Sequence, residues 1–316
     1  MTETDQARTA PVSTDRPGAT VIALAQLGKL KLFEIWIGPL VAWSLLGGIG
    51  VFTVRSTLLC LIFLVTVAVT MCASHAFDDI TGFLDASDIR NYAPERRRSQ
   101  VKPLVRGTLS VGAARVFAYS SVALAVACAL GFWALAGFRP WWVLAGGLAV
   151  AIFGAQYSAG INFSYRIFAG GEALTGITLA ASVWLPYGAV AGRVSPAALT
   201  EGVLFGMWLV QVLICSNTVD AADDRSVGRH TVAARTPERA NLAFVVVMFV
   251  TSFALAVAGA ASGVLRPWTP LCLLPAWLMQ FYVLRRGLRG CWRNRRNYGF
   301  LALRIAVVGL VVANVV

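Results

Sequence analysis

The sequence predicts an all-α, polytopic membrane protein: nine transmembrane helices bundled around a central cavity, with the N-terminus cytosolic. Three observations carry this expectation. The chain is 58% hydrophobic and only 13% charged, whereas a soluble domain carries about a quarter charged residues. Apolar stretches of about 20 residues, the length a helix needs to cross a bilayer, recur along it. Its basic residues sit in short connections between those stretches, where they set membrane orientation.

The elements follow in order. Residues 1–21, opening MTETDQARTAPVSTDRPGAT, are polar and lack an apolar core, which excludes a cleavable signal peptide and reads as a disordered cytosolic tail. Residues 22–316 form one membrane domain. Its spans read as 32–53, 56–76, 110–136, 141–159, 171–191, 199–219, 241–262, 268–284 and 298–316, the fourth, fifth and eighth being short or interrupted by Gly and Pro. With the N-terminus inside, inner segments hold 22 of the 27 Lys and Arg residues. The outer loops hold Arg55, Arg139, Arg193 and Arg266, and Arg304 lies within the last span. Dropping a span from the middle scrambles this bias, so nine spans and an outer C-terminus are expected. The setting is an integral membrane protein of a bacterial inner membrane, in contact with membrane lipid and with its active site facing the cytosol.

The net charge of +12 therefore reflects orientation. Aromatic residues lie within spans or at their edges rather than on a basic stacking face, which argues against nucleic-acid binding. The six cysteines show no metal-ligand spacing and act as small apolar residues.

Nine of the fifteen carboxylates fall in two connections on the inner side: Asp78, Asp79, Asp85, Asp88 and Glu95 after the second span, and Asp220, Asp223, Asp224 and Glu238 after the sixth. Asp78 and Asp85 are seven apart, which places both on one face of a continuous helix. Gly82 is a potential break in that helix, and Asp79 is the other candidate for the first acidic position. Asp220 and Asp224 are four apart and share a helical face; Asn217 joins that face, with Asp223 within reach. Clustered carboxylates at the ends of apolar helices repel one another and are costly to desolvate, and a bound cation removes that cost. Mg²⁺ is held by one or two carboxylates plus phosphate oxygens. Two facing clusters suit a diphosphate held between metal ions, with nearby Lys and Arg binding the remaining oxygens. Solvated acids paired with surface arginines would explain one cluster more readily than two in equivalent positions.

These residues resemble the UbiA superfamily of intramembrane prenyltransferases. Asn217, Asp220 and Asp224 fit its N-x-x-D-x-x-x-D motif, and Gly228-Arg229-His230-Thr231 fits the G-K/R-x-T that follows. The first motif departs from N-D-x-x-D-x-x-x-D: Ser74 or His75, by register, replaces the opening Asn, and the spacing to Asp85 is longer, as in a longer G-x-D form of quinone-pathway members. Lys102-Pro103-Leu104-Val105-Arg106-Gly107 resembles the R-P-L-x-S-G signature. Tyr165-Arg166 and Gly170-Gly171-Glu172 resemble the Y-R-G-x-G-E region of 1,4-dihydroxy-2-naphthoate-type prenyltransferases.

The resemblance covers about residues 22–316 and implies nine transmembrane helices with acidic motifs after the second and sixth. It implies Mg²⁺-dependent transfer of an isoprenoid chain from a prenyl diphosphate to an aromatic acceptor, in quinone or related biosynthesis. Asp78, Asp79, Asp85, Asp220 and Asp224 would be catalytic and bind the metal, with Asn217 aiding the second site. Lys102, Arg106 and Arg229 would bind phosphate, and Tyr165 and Glu172 would contact substrate, helix capping being the other role for Glu172. The altered first motif also suits a terpene cyclase acting without an acceptor. A cation-coupled transporter would place its acids near the bilayer midplane instead. His75 and His230 are candidates for phosphate contact or general-base work, and Glu34, Lys31 and Arg304 are intramembrane charges. Trp184, Tyr187 and Trp208 line a cavity or fill the core.

Overall fold

The computed structural model describes residues 17–86, 88, 102–157, 161–292 and 295–316, and among these residues there is no strand. Of the charges assigned to the inner side, Arg8, Arg16, Arg90, Arg96, Arg97, Arg98, Arg293 and Glu95 lie outside the described residues, as do residues 1–16 of the expected tail. Helix α1 (Pro17–Leu27) is followed by a 3-10 turn at Phe33–Ile35 and by α2 (Gly38–Gly48). α3 (Val54–Leu84) opens on a capping box in which Thr53 and Ser56 each accept the other's backbone N–H through their hydroxyls. Ser110 caps α4 (Val111–Leu135), and α5 (Trp141–Ala155) follows Pro140. After the short α6 (Phe163–Arg166), α7 (Gly170–Ala191) stops at Gly192, whose φ of +69° is a left-handed helix ending. α8 (Pro196–Val219) is capped by Ser195 with Pro196 at its first position. Two short helices, α9 (Ala221–Ser226) and α10 (Val232–Arg235), precede α11 (Glu238–Ala261), α12 (Thr269–Gly287) and α13 (Arg295–Val315).

A helix lies in each of the nine expected spans, but six are long and apolar enough to cross a membrane: α3, α4, α7, α8, α11 and α13. The first expected span is broken, because the turn at Phe33–Ile35 leaves α2 only 11 residues, or about 16 Å against a hydrocarbon core of about 30 Å. α5 has 15 residues, and α12 carries Pro275, Gln280, Arg285 and Arg286, which lower its apolar character. Residues 17–21, expected in the tail, are helical. They belong to α1, which is pinned by burial of Ala23 and Leu27 against Ala76 and Ile80 of α3, Leu104 and Leu109 of the following connection, and Ala114 and Ala118 of α4.

The centre of the bundle is the α7–α8 pair, flanked by α2 and α13. Its close approach depends on small residues. A Cβ on Gly202 would stand 2.6 Å from the Ala180 carbonyl oxygen, and one on Gly206 would collide with the carbonyl of Gly176. Two small residues four apart on each helix thus let the backbones touch, the usual device where lipid supplies no hydrophobic driving force. Trp208 and Tyr187 are buried in the main core with Phe205, Leu273 and Leu303; Trp184 packs against that core and stacks on Trp142. Glu34, in the broken first segment, is 1% exposed and accepts from Arg304 Nε at 2.7 Å and from its Nη2, which neutralises both intramembrane charges.

Candidate functional site

The two acidic segments meet in one cleft. Asp78, Thr81, Gly82 and Asp85 come from the end of α3, and Asp220, Asp223 and Asp224 from the end of α8 and from α9; Asp88, Lys102, Asn162, Tyr165 and Arg229 complete the lining of a small, polar cleft of about 60 Å³. Both α3 and α8 present their C-termini here, so the carboxylates add to the negative ends of two helix dipoles. Cations are the natural occupants of such a place.

On the first side, α3 continues through Gly82 to Leu84 and is capped by Asp85, so Asp78 and Asp85 share the cleft as their spacing requires. Gly82 does not break the helix; it makes room. A Cβ there would stand 2.7 Å from the carboxylate of Asp88. Asp88 in turn accepts a hydrogen bond from Lys102 Nζ at 2.6 Å, and the same ammonium lies 3.3 Å from Asp79 Oδ1. Burial pushes the Asp88 carboxyl above the usual range, with Lys102 opposing that rise. Burial works against the charge on Lys102, but Asp79, Asp88 and Asp78 outweigh it and hold its pKa above the ordinary value.

On the second side, α8 ends at Val219, and Asp220 joins it to α9. The Asp224 N–H donates to the Asp220 carbonyl at 2.8 Å, a helical bond that brings both carboxylates to the cleft across the junction. Burial raises the pKa of Asp224, and Arg229, whose Nη1 is 3.4 Å away, counteracts it. The Arg229 loop is fixed by its backbone. Arg235 donates to the carbonyls of Arg229 and Gly228, His230 N–H donates to the Ser164 carbonyl, and Ala169 N–H donates to the His230 carbonyl. That lacing ties the loop to α6 and sets the Arg229 guanidinium 5.4 Å from the centre of the Tyr165 ring.

Asp78, Asp85, Asp220, Asp224, Lys102, Arg229 and Tyr165, expected at the site from the sequence, all line the cleft. Four others do not. Asp79 is 2% exposed and is held by Lys29 and Lys102 behind the cleft wall; Arg106 is exposed away from it. Glu172 and Asn217 are buried and bind each other: Glu172 Oε1 accepts from Asn217 Nδ2 at 2.9 Å and from the Val232 N–H at 3.1 Å. Glu172 therefore clamps α7 to α8 and α10, a bracket beneath the site. His75 lies one turn before Asp78 with Nε2 buried and unbonded, outside the cleft lining. Two residues that spacing did not select are Lys29, 3.6 Å from Asp78 Oδ2, and Asp88.

The donor set fits a hard cation. In the cleft lining, Asp88 Oδ2 and Asp224 Oδ2 are buried and accept no hydrogen bond. Among the described residues, no three acidic, histidine or cysteine side chains converge closely enough to hold a metal alone. Mg²⁺ needs only one or two carboxylates and completes its shell with water and phosphate oxygens.

Comparison with known proteins agrees with this geometry. The sequence profile of the UbiA prenyltransferase family matches residues 36–306. Curated proteins give no match. Among solved structures, the apo form of a UbiA homologue from Aeropyrum pernix K1 is similar with a TM-score of 0.67 at 18% identity, over 88% of this chain and 97% of that one. A digeranylgeranylglyceryl phosphate synthase gives 0.63 at 15% identity, over 93% and 98%. A UbiA homologue from Archaeoglobus fulgidus bound to DMAPP and Mg²⁺ gives 0.60 at 16% identity, over 89% and 99%.

Proposed function

The chain belongs to the UbiA prenyltransferase family, and from that premise we propose that it transfers an isoprenoid chain from a prenyl diphosphate to an aromatic acceptor inside the membrane, with Mg²⁺, in quinone or related biosynthesis. The observation that carries the reading is the single cleft in which both acidic motifs face Lys102 and Arg229. The Archaeoglobus fulgidus homologue, whose structures hold DMAPP or GPP with Mg²⁺, supports the diphosphate part.

Bound Mg²⁺ would neutralise the diphosphate and stabilise it as a leaving group. Asp78 and Asp85 on one wall and Asp220 and Asp224 on the other would hold it, with Asp79 held in reserve behind the first wall. Lys102 and Arg229 bind the outer phosphate oxygens and take up charge as the C1–oxygen bond breaks and its electron pair leaves with the diphosphate. A nucleophilic ring carbon of the acceptor then bonds to C1, and its proton passes to the released diphosphate or to water. Tyr165 carries the Arg229 guanidinium over its ring and so helps hold that charge at the phosphate end of the cleft. The cleft opens at the helix ends where most basic residues lie, which supports a reaction on the cytosolic face.

The test is incubation of purified protein with Mg²⁺, a series of prenyl diphosphates, and 1,4-dihydroxy-2-naphthoate or 4-hydroxybenzoate. An ether lipid glyceryl phosphate is included because a digeranylgeranylglyceryl phosphate synthase shares the fold. A prenylated aromatic supports the proposal, and a prenylated glyceryl phosphate replaces the acceptor class. A cyclic product formed without acceptor marks a terpene cyclase instead. Failure to release diphosphate under all conditions sinks every prenyl-transfer reading and returns the acids to a cation-transport role.

A further inference from the structure

We infer that Lys29, delivered to the site by the N-terminal helix α1, binds the diphosphate of the prenyl donor. The inference rests on the diphosphate reading above and adds to it a residue upstream of the family-matched stretch, which begins at residue 36.

The first observation is a lysine where a glycine is expected. α1 ends in a paired-bond turn: the Lys29 N–H donates to the Gln26 carbonyl at 3.1 Å and the Leu30 N–H to the Ala25 carbonyl at 3.0 Å. The residue between those bonds must be left-handed and is usually glycine. Here it is Lys29, with φ +51°, while the available glycine, Gly28, stands one residue earlier. A side chain in that conformation is strained, and such strain persists where the side chain has work to do.

The second observation is the direction this turn imposes. A Cβ on Gly28 would stand 3.1 Å from Cys72 Sγ and 3.2 Å from the Phe117 ring, so Gly28 permits α1 to lie directly on α3 and α4. The left-handed Lys29 then turns its chain toward the first acidic motif, with Nζ 3.6 Å from Asp78 Oδ2 and 3.7 Å from Asp79 Oδ1. Both separations exceed hydrogen-bond length. Lys102, by contrast, is anchored on Asp88 at 2.6 Å. The two lysines therefore differ in kind: Lys102 is fixed, whereas Lys29 is held by charge alone and can swing on its flexible stem. Lys29 stands outside the cleft lining but against Asp78, which belongs to it; were Asp78 to turn to a metal, the released ammonium would reach past it to the phosphate oxygens, where a charge-assisted bond is strong.

The test uses the full chain in lipid nanodiscs, a non-hydrolysable geranyl thiolodiphosphate with Mg²⁺ as one probe, and Mn²⁺ alone as the other. Lys29→Gln and Lys29→Gly should each weaken analogue binding about tenfold while leaving Mn²⁺ affinity unchanged or tighter, because a competing cation is gone. Lys29→Arg should keep most of the affinity. Lys29→Gly should melt no lower than Lys29→Gln, since glycine relieves the left-handed backbone. Unchanged analogue affinity in Lys29→Gln overturns the inference, and so does parallel loss of Mn²⁺ and analogue, which would mark a purely structural lysine. If the wild-type protein fails to bind the analogue, the diphosphate reading falls and this inference with it. A wild type that binds beside an unaffected Lys29→Gln removes only the role of Lys29.

Discussion

Gly82 shows how a single residue can serve the site without touching substrate. Its missing side chain seats the Asp88 carboxylate against α3, and Asp88 anchors Lys102 at the cleft. In Gly82→Ala the added carbon must displace that carboxylate. Helix propensity favours Ala by up to about 1 kcal/mol, so the melting temperature should hold or fall slightly while turnover drops about tenfold. Lost stability with retained turnover would show that Asp88 has no part in holding Lys102. Glu172 makes a matching case. Glu172→Ala leaves the Asn217 amide and Val232 N–H buried without an acceptor, at about 1–3 kcal/mol each, and should lower both stability and turnover. Glu172→Gln keeps an acceptor oxygen and should retain most of both, with the acceptor KM unchanged; a raised acceptor KM in the Gln variant would make Glu172 a substrate contact instead. Asp220→Asn and Asp224→Asn should each reduce turnover at least about a hundredfold with the fold intact, because a charged metal ligand is removed from the second wall. At this scale the sequence was legible where chemistry recurs at helical spacing, as in Asp78 with Asp85 and Asp220 with Asp224. Asp88 reaches the cleft through a tight approach, and Lys29 reaches Asp78 through a helix-ending turn, and no periodicity in the chain announces either.

The helices show a similar division between what composition reveals and what packing decides. Hydrophobic run length located a helix in each expected span but could not tell that the first is cut by a turn at Phe33–Ile35. That break puts Glu34 beside Arg304, and the two charges are distant in sequence. Nor does run length show which helices form the centre. α7 and α8 are central because Gly176, Ala180, Gly202 and Gly206 let their backbones meet, and the ends of those two helices carry Glu172, Asn217 and Asp220. The bracket under the site thus hangs on a small-residue contact deeper in the bilayer. Gly206→Leu should be strongly destabilising, as overpacking against a backbone carbonyl allows no side-chain relaxation. The expected readout is loss of monodisperse protein on size exclusion and a melting temperature lower by several degrees. Gly131→Ala, at a position of α4 with nothing within 4 Å, is the control and should behave as wild type. If Gly206→Leu folds as well as Gly131→Ala, the α7–α8 contact is not what fixes the bracket.

At the level of the whole molecule, the arrangement of charge assigns the site to one side of the membrane. α3 has 31 residues, about 46 Å at 1.5 Å per residue, so its start at Val54 and the aspartates at its end lie on opposite faces of a bilayer. The aspartate end shares its side with Lys102, Arg229 and the Arg285–Arg286–Arg289 run, whereas the opposite loops carry four arginines in all. By the positive-inside tendency the richer side is the one proposed to face the cytosol, where soluble diphosphates and Mg²⁺ are supplied. The cysteines allow a direct check. Cys291 follows the arginine run and is exposed, whereas Cys60, Cys72 and Cys215 are buried and Cys128 and Cys272 lie within helices. A membrane-impermeant maleimide should therefore label Cys291 in inverted vesicles and not in intact cells. In a Cys291→Ser background, Arg193→Cys, on the exposed turn between α7 and α8, should show the reverse. Labelling of Cys291 from outside would invert the topology and put the cleft on the face away from the cytosolic diphosphate pool, leaving the fold as described but removing the supply on which the proposed reaction depends.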